Sequence, residues 1–83
     1  MENHYILVFN NTHEAMKAES ECIEAKIKVT MMPTPSYITK SCGISLRVDE
    51  EGFSSVKKLI DEEKISIKSA FKKQDSSYIE VLS

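Results

Sequence analysis

The sequence predicts an α+β fold in which two helices lie on one face of an antiparallel sheet. Three observations predict it. A short run that is apolar at every position opens the chain, two later runs alternate apolar and polar residues, and an amphipathic helical pattern follows the first and the third of these runs. With a fourth apolar run near the end, the order is strand–helix–strand–strand–helix–strand. That order is the split βαβ arrangement of a ferredoxin-like two-layer sandwich.

The first strand and the first helix are predicted from residues 5–25. Residues 5–9 are apolar on both faces, which is typical of a central strand covered on both sides. Asn11 or Thr12 can cap the helix that follows, and Glu14 stands three residues after Asn11, in the spacing of a capping box. From residue 13 to residue 25 the apolar side chains share one helical face, which predicts a helix packed on the sheet.

Two alternating runs flank a connection rich in proline. Residues 26–31 and 43–48 each alternate, so we expect the second and third strands there. The connection contains Pro33 and Pro35 and ends at Cys42 and Gly43. Proline fixes φ and lacks a backbone donor, so we expect this connection to be stiff and to lie outside the sheet.

The second helix and the last strands follow. Asp49 and two glutamates mark the helix start, where negative charge is favoured, and Phe53, Val56 and Leu59 begin its apolar stripe. Residues 65–71 are predicted as the fourth strand. Residues 78–82 form either a short fifth strand or a frayed tail.

Residues 1–83 are predicted to be one domain, with a core over about 4–72 and a C-terminal tail or extra strand over 73–83. Right-handed crossovers give the strand order 4-1-3-2, with the first strand central and both helices on one face. The other face needs a cover, which the tail from Tyr78 or a second copy of the chain could supply. This favours a homodimer.

Charge and cysteine content exclude several classes of function. The net charge is −2 and is evenly spread, so no basic field is present to attract nucleic acid or anionic lipid. The apolar run at the N-terminus is too short for a membrane span or a signal sequence. Two cysteines without metal-binding spacing predict a cytoplasmic protein with no metal, no cofactor and no structural disulfide.

The predicted topology gathers Cys42, Thr12 and His13 at one end of the sheet. If extended, Cys42 faces the helices, where the N-terminus of the first helix would lower the pKa of its thiol and His13 could move a proton. The alternatives are that Cys42 is a small core side chain, Gly43 a turn or bulge residue, and His13 a solvated one. Cys22 lies on the apolar helix stripe, about 15 Å along the axis from Thr12, so we expect a core role and no disulfide.

Residues 31–48, MMPTPSYITKSCGISLRV, together with the helix start at 11–19, resemble the DUF3343 family, described as putative selenium/sulfur carrier protein-like. The likeness covers about residues 5–71. It implies a cytoplasmic carrier whose cysteine, here Cys42 beside Gly43, holds a persulfide or selenopersulfide. It also implies a donor protein, such as a cysteine desulfurase or sulfurtransferase, and an acceptor protein. Such a protein is a carrier rather than a turnover enzyme.

Two other functions are consistent with the residues. The chain could be a non-catalytic binding or regulatory module that dimerises through its open sheet face, with Cys42 structural. It could also be a redox sensor in which Cys42 forms a mixed or intermolecular disulfide under mild oxidant.

Overall fold

A computed structural model describes residues 4–34, 43–74 and 77–82. Over these residues the chain forms two helices and a five-stranded antiparallel sheet. The elements are β1 (His4–Val8), α1 (Thr12–Glu24), β2 (Thr30–Pro33), β3 (Ile44–Asp49), α2 (Glu50–Asp61), β4 (Ser69–Gln74) and β5 (Ser77–Leu82). Neither described helix is long and apolar enough to cross a membrane.

The strands lie in the order β2-β3-β1-β4-β5, and every neighbouring pair is antiparallel. The predicted order 4-1-3-2 is therefore confirmed, with β5 added beside β4. Leu7 of β1 lies opposite Leu46 on one side and Ala70 on the other, and all three are fully buried. The first strand is central, as its continuous apolar run predicted.

Both helices pack on one face of the sheet. Ala15, Ala18 and Cys22 of α1 are fully buried, and they share a single core cluster with the apolar side chains of α2 and of the sheet. Small side chains on α1 let the helix approach the strands closely. Tyr5 of β1 and Phe53 of α2 stack with ring centroids 3.9 Å apart and planes 3° apart. This stack adds an aromatic contact to the burial of both rings.

The face without helices carries a smaller cluster. Ile6 and Val8 are buried there, and the side chains of Met32, Phe71 and Tyr78 pack against them. Residues 78–82 were predicted as either a strand or a frayed tail, and Ser77–Leu82 form a strand at the edge of the sheet. The tail thus extends the sheet, and the ring of Tyr78 contributes to covering this face.

The second strand is shorter than predicted, beginning at Thr30 instead of residue 26. Lys26 adopts a left-handed backbone with φ 62°, and the Ile27 amide donates to the Cys22 carbonyl at 2.8 Å, so the turn that ends α1 continues to residue 27. Ile27 is nevertheless buried against the core. The alternation correctly predicted that Ile27 is buried and that Val29 packs against the core, but Met31, also predicted to face inward, is 38% exposed. The predicted backbone conformation was wrong for residues 26–29.

The fourth strand is shifted toward the C-terminus for the same reason. It covers Ser69–Gln74 instead of residues 65–71. After α2, Glu63 has φ 60° and the Lys64 amide donates to the Leu59 carbonyl at 2.9 Å. Ile65 is then buried in the helix-side core without joining a strand.

Pro33 lies in the sheet, contrary to the prediction that both prolines stay outside it. It is the last residue of β2, opposite Ile44. Because the Thr34 amide donates to the Gly43 carbonyl at 2.9 Å, Pro33 and Ile44 form the adjacent non-hydrogen-bonded pair. The missing N–H of Pro33 therefore points away from β3, at an outer edge that needs no donor.

Candidate functional site

The predicted carrier residue, Cys42, lies outside the described residues, but both ends of its segment are described. Thr34 and Gly43 lie opposite each other, joined by the hydrogen bond from the Thr34 amide to the Gly43 carbonyl. Gly43 has φ +87°, a backbone conformation that residues with a Cβ atom rarely adopt. The positive φ of Gly43 is consistent both with a role in shaping the loop at Cys42 and with a turn or bulge residue.

A second hydrogen bond strengthens the same junction. The hydroxyl oxygens of Thr34 and Ser45 lie 2.6 Å apart, and Ser45 is fully buried. A buried hydroxyl without a partner is costly, so this contact stabilises the position at which the chain leaves β2 and enters β3. Thr34 is therefore joined to Gly43 through the backbone and to Ser45 of β3 through the side chain.

The structure brings this junction to the same end of the sheet as the start of α1. Val8, near the end of β1, lies opposite Ser45, near the start of β3. The helix begins at Thr12, only a short turn after β1. Gly43, Thr12 and His13 therefore share one end of the sheet, as the predicted topology requires. Thr12 and His13 are exposed there.

The carboxylate of Glu14 lies at the start of α1, but it contacts a different residue from the one that capping-box spacing predicted. Asn11 caps α1, and its side-chain oxygen accepts from the Glu14 amide at 2.8 Å. Glu14 Oε1 accepts from the backbone amide of Asn10 at 3.1 Å and from its side-chain amide at 3.3 Å, one residue earlier than in a standard capping box. The Glu14 carboxylate partly offsets the positive potential of the helix N-terminus. A thiolate at this end of the sheet would therefore be attracted by the helix N-terminus and repelled by Glu14.

Cys22 is the other cysteine of the chain, and its environment is unsuitable for sulfur chemistry. It is a free thiol, fully buried in the helix-side core. Burial, with a smaller effect from the Glu21 carboxylate, raises the pKa of the Cys22 thiol to about 11. The thiolate is the nucleophile, so Cys22 is unreactive at neutral pH. The predicted core role is confirmed.

The other titratable side chains of the described residues do not form a metal site. No three His, Cys, Asp or Glu side chains among them are placed to hold a metal ion. A cleft of about 190 Å³ lies at the opposite end of β3 and is lined by Lys28, Arg47 and Asp49, among others. Asp49 is already engaged there, because its carboxylate accepts from the Gly52 amide at 2.7 Å and caps α2.

The fold and the predicted site can be compared with known proteins. The comparison with curated proteins found no match, and the comparison with solved structures found none. A family model described as "Putative Se/S carrier protein-like" matches residues 4–72, which include β1, both helices, the Cys42–Gly43 pair and the first four residues of β4. The chain belongs to this family of selenium/sulfur carrier-like proteins.

Proposed function

We propose that this protein carries sulfur or selenium on Cys42 and passes it to an acceptor protein. Family membership supports the cargo. The observation that supports Cys42 as the carrier is the burial of Cys22: the chain has two cysteines, and Cys22 is fully buried with a thiol pKa raised to about 11. A carrier thiol must be ionised and reachable by its donor, and Cys22 is neither.

The loading step is an exchange that needs no external oxidant. The Cys42 thiolate attacks the terminal sulfur of a donor persulfide, R–S–SH. The S–S bond of the donor breaks, the donor leaves as the thiolate R–S⁻, and a new S–S bond forms to give Cys42–S–SH. Delivery is the same exchange with an acceptor thiolate as the nucleophile. A selenopersulfide, R–S–SeH, reacts in the same way.

The neighbouring residues have distinct roles in this proposal. Gly43, with φ +87°, sets the direction in which the chain leaves Cys42. Thr12 and His13, exposed at the same end of the sheet, contribute to the environment of the thiolate, and His13 can accept or return a proton during exchange. The protein acts in the cytoplasm, where a donor such as a cysteine desulfurase or sulfurtransferase supplies the persulfide.

Intact-protein mass spectrometry with glutathione persulfide tests the proposal. The wild-type protein should gain the mass of one sulfur atom, and dithiothreitol should remove it. Cys42→Ser should gain nothing. Cys22→Ala is the matched control and should load like the wild type, because it removes the other thiol without touching the carrier.

Three results would overturn the proposal. Loading of the Cys42→Ser variant would assign the sulfur elsewhere. A gain of a whole glutathione at Cys42, with no gain of sulfur, would favour the redox-sensing function. Failure of wild-type protein to load, together with weaker folding of Cys42→Ser, would favour the regulatory module with a structural Cys42. Repeating the reaction with the selenium analogue of the donor measures the preference between the two cargoes.

A further inference from the structure

The two edges of the sheet differ in their ability to pair with another strand. The β2 edge is four residues long, ends in Pro33 and follows Lys26 and Lys28 in the chain. Short length, proline and nearby lysines are the features by which proteins protect a sheet edge. This edge is therefore a poor site for strand addition.

The β5 edge has none of these protections among its described residues. It is six residues long, contains no proline and has Glu80 as its only charged residue. Ile79 and Val81 are 48% and 39% exposed, although they are apolar. Within the part of the chain that the structure describes, β5 pairs only with β4 and ends the sheet. A long, apolar, unprotected edge strand is a site for pairing with another strand.

We propose that two copies of this chain dimerise by antiparallel pairing of β5 with β5, which joins two five-stranded sheets into one sheet of ten strands. Two-fold symmetry limits the registers, because residues facing each other must lie on the same face of the sheet. A register centred on Glu80 would place two carboxylates opposite each other. A register centred on Ile79 instead places Ile79 against Ile79 of the second copy, and Tyr78 against Glu80 of the second copy.

Charge complementarity favours the register centred on Ile79. Lys73 lies opposite Tyr78 in the β4–β5 pair, and its ammonium lies 5.7 Å from the centre of the Tyr78 ring. Neither Lys73 nor Glu80 forms an ion pair with a residue in the described ranges. The register brings the carboxylate of the second copy's Glu80 beside Tyr78, and hence toward Lys73. Symmetry produces this contact twice.

The proposed dimer leaves the carrier sites separate. β3, which follows Gly43, would lie seven strand spacings from β3 of the second copy, or about 34 Å across the sheet. Two Cys42 thiols could not then form a disulfide within one dimer. The proposed dimer is independent of the carrier function, because neither β5 nor Glu80 belongs to the proposed carrier site at the junction of β2 and β3.

Sedimentation equilibrium over a range of protein concentrations tests the dimer. The wild type should dimerise reversibly. Ile79→Lys places two lysines opposite each other and should weaken dimerisation by about tenfold or more. Ile23→Lys is the matched control, because Ile23 is an isoleucine 63% exposed on α1, and it should dimerise like the wild type. Circular dichroism verifies that both variants fold.

The Glu80→Gln variant tests the register, because the two registers predict opposite signs. Loss of the two cross-copy charge contacts should weaken the dimer by about threefold, and added salt should weaken the wild type more than the variant. A tighter dimer would show that the two glutamates face each other, and would overturn the register. A wild type that stays monomeric at all concentrations, or equal weakening by Ile79→Lys and Ile23→Lys, would overturn the proposed interface.

Discussion

The hydroxyl groups of Thr34 and Ser45 lie 2.6 Å apart and join the end of β2 to the buried part of β3. Because Gly43 also accepts from the Thr34 amide, a single residue fixes both ends of the segment that contains Cys42. Gly43 directly follows Cys42, the proposed carrier residue, in the sequence, so the stability of this junction is the subject of the first prediction.

Removing the hydroxyl contact should destabilise the protein moderately. Ser45→Ala leaves the Thr34 hydroxyl without this partner, and Thr34→Val leaves the Ser45 hydroxyl without it. Each variant should therefore lower the free energy of unfolding by about 1 kcal/mol. Urea unfolding of both single variants and the double variant measures the coupling between the two residues. If the double variant loses the sum of both single losses, the hydroxyl groups do not interact, and the prediction is wrong.

Replacing Gly43 should be costly because of its backbone alone. A Cβ atom at Gly43 would meet no heavy atom of the described residues within 4 Å, yet φ is +87°. We expect Gly43→Ala to lower the free energy of unfolding by about 1–2 kcal/mol, and Gly43→Asn to cost less, since asparagine tolerates the left-handed region better. Thermal or urea unfolding measures both. Equal stability of the wild type and Gly43→Ala would show that the positive φ is not required.

The cost of a Cβ atom at Gly52 has a different origin. There the new atom would lie 3.1 Å from Asp49 Oδ1 and 3.3 Å from the Val48 Cβ. The cost at Gly52 therefore comes from steric crowding, whereas the cost at Gly43 comes from the backbone conformation. We expect Gly52→Ala to disturb the cap of α2 while leaving the loading of Cys42 unchanged, because α2 begins at the opposite end of β3. The persulfide mass assay measures loading. Reduced loading of this variant would contradict the separation of the two ends.

Burial of Cys22 should make stability depend on alkaline pH. The thiol pKa is raised from 9.0 to about 11 in the folded protein, so folding favours the neutral thiol. The contribution of the Cys22 thiol to stability is fully present below the pKa of the thiol in the unfolded protein. It is lost as pH rises from about 9 to about 11. The loss is about 3 kcal/mol.

Cys22→Ala isolates that effect from the other groups that titrate in the same range. The variant should be less stable than the wild type at neutral pH by about 1 kcal/mol, because it leaves a small cavity. Its stability should then fall less steeply than that of the wild type across the alkaline window. Parallel curves for the two proteins, measured by urea unfolding at each pH, would contradict the raised pKa.

The two helix caps offer a test of whether the start of α1 affects the thiol of Cys42, the proposed carrier. Asn11→Ala and Asp49→Ala each remove a side chain that caps a helix, and each should cost about 1 kcal/mol. Only Asn11 lies at the end of the sheet where Gly43 follows Cys42. We therefore expect Asn11→Ala, but not Asp49→Ala, to change the rate at which Cys42 reacts with iodoacetamide at neutral pH. Equal rates in both variants would exclude an effect of this helix start.

Periodicity alone predicted the order of the elements and the burial of most core residues, among them Ala18, Leu46 and Val48. These properties depend on strand-like alternation and helical spacing, and both can be read from the order of apolar and polar residues along the chain. For the same reason the sequence placed Cys22 in the core. It also supported the family resemblance, which rests on residues such as the Ser-Cys-Gly run.

Tertiary structure decided where the strands begin and what their ends contact. Ile27 and Ile65 have the apolar character of strand residues, but left-handed residues after each helix delay pairing until Thr30 and Ser69. A strand exists only where a neighbour accepts its hydrogen bonds, and no local pattern specifies that neighbour.

Local residue patterns also do not specify which side chains meet in space, and several contacts were therefore not predicted. The Glu14 contact with Asn10 and the Thr34–Ser45 contact depend on distances between atoms, which residue types do not specify. The contrast between the protected β2 edge and the open β5 edge depends on which strands end the sheet. The sequence determined the layers and the candidate thiol, whereas the pairing of strands in space decided the frame around that thiol and the surface left for a partner.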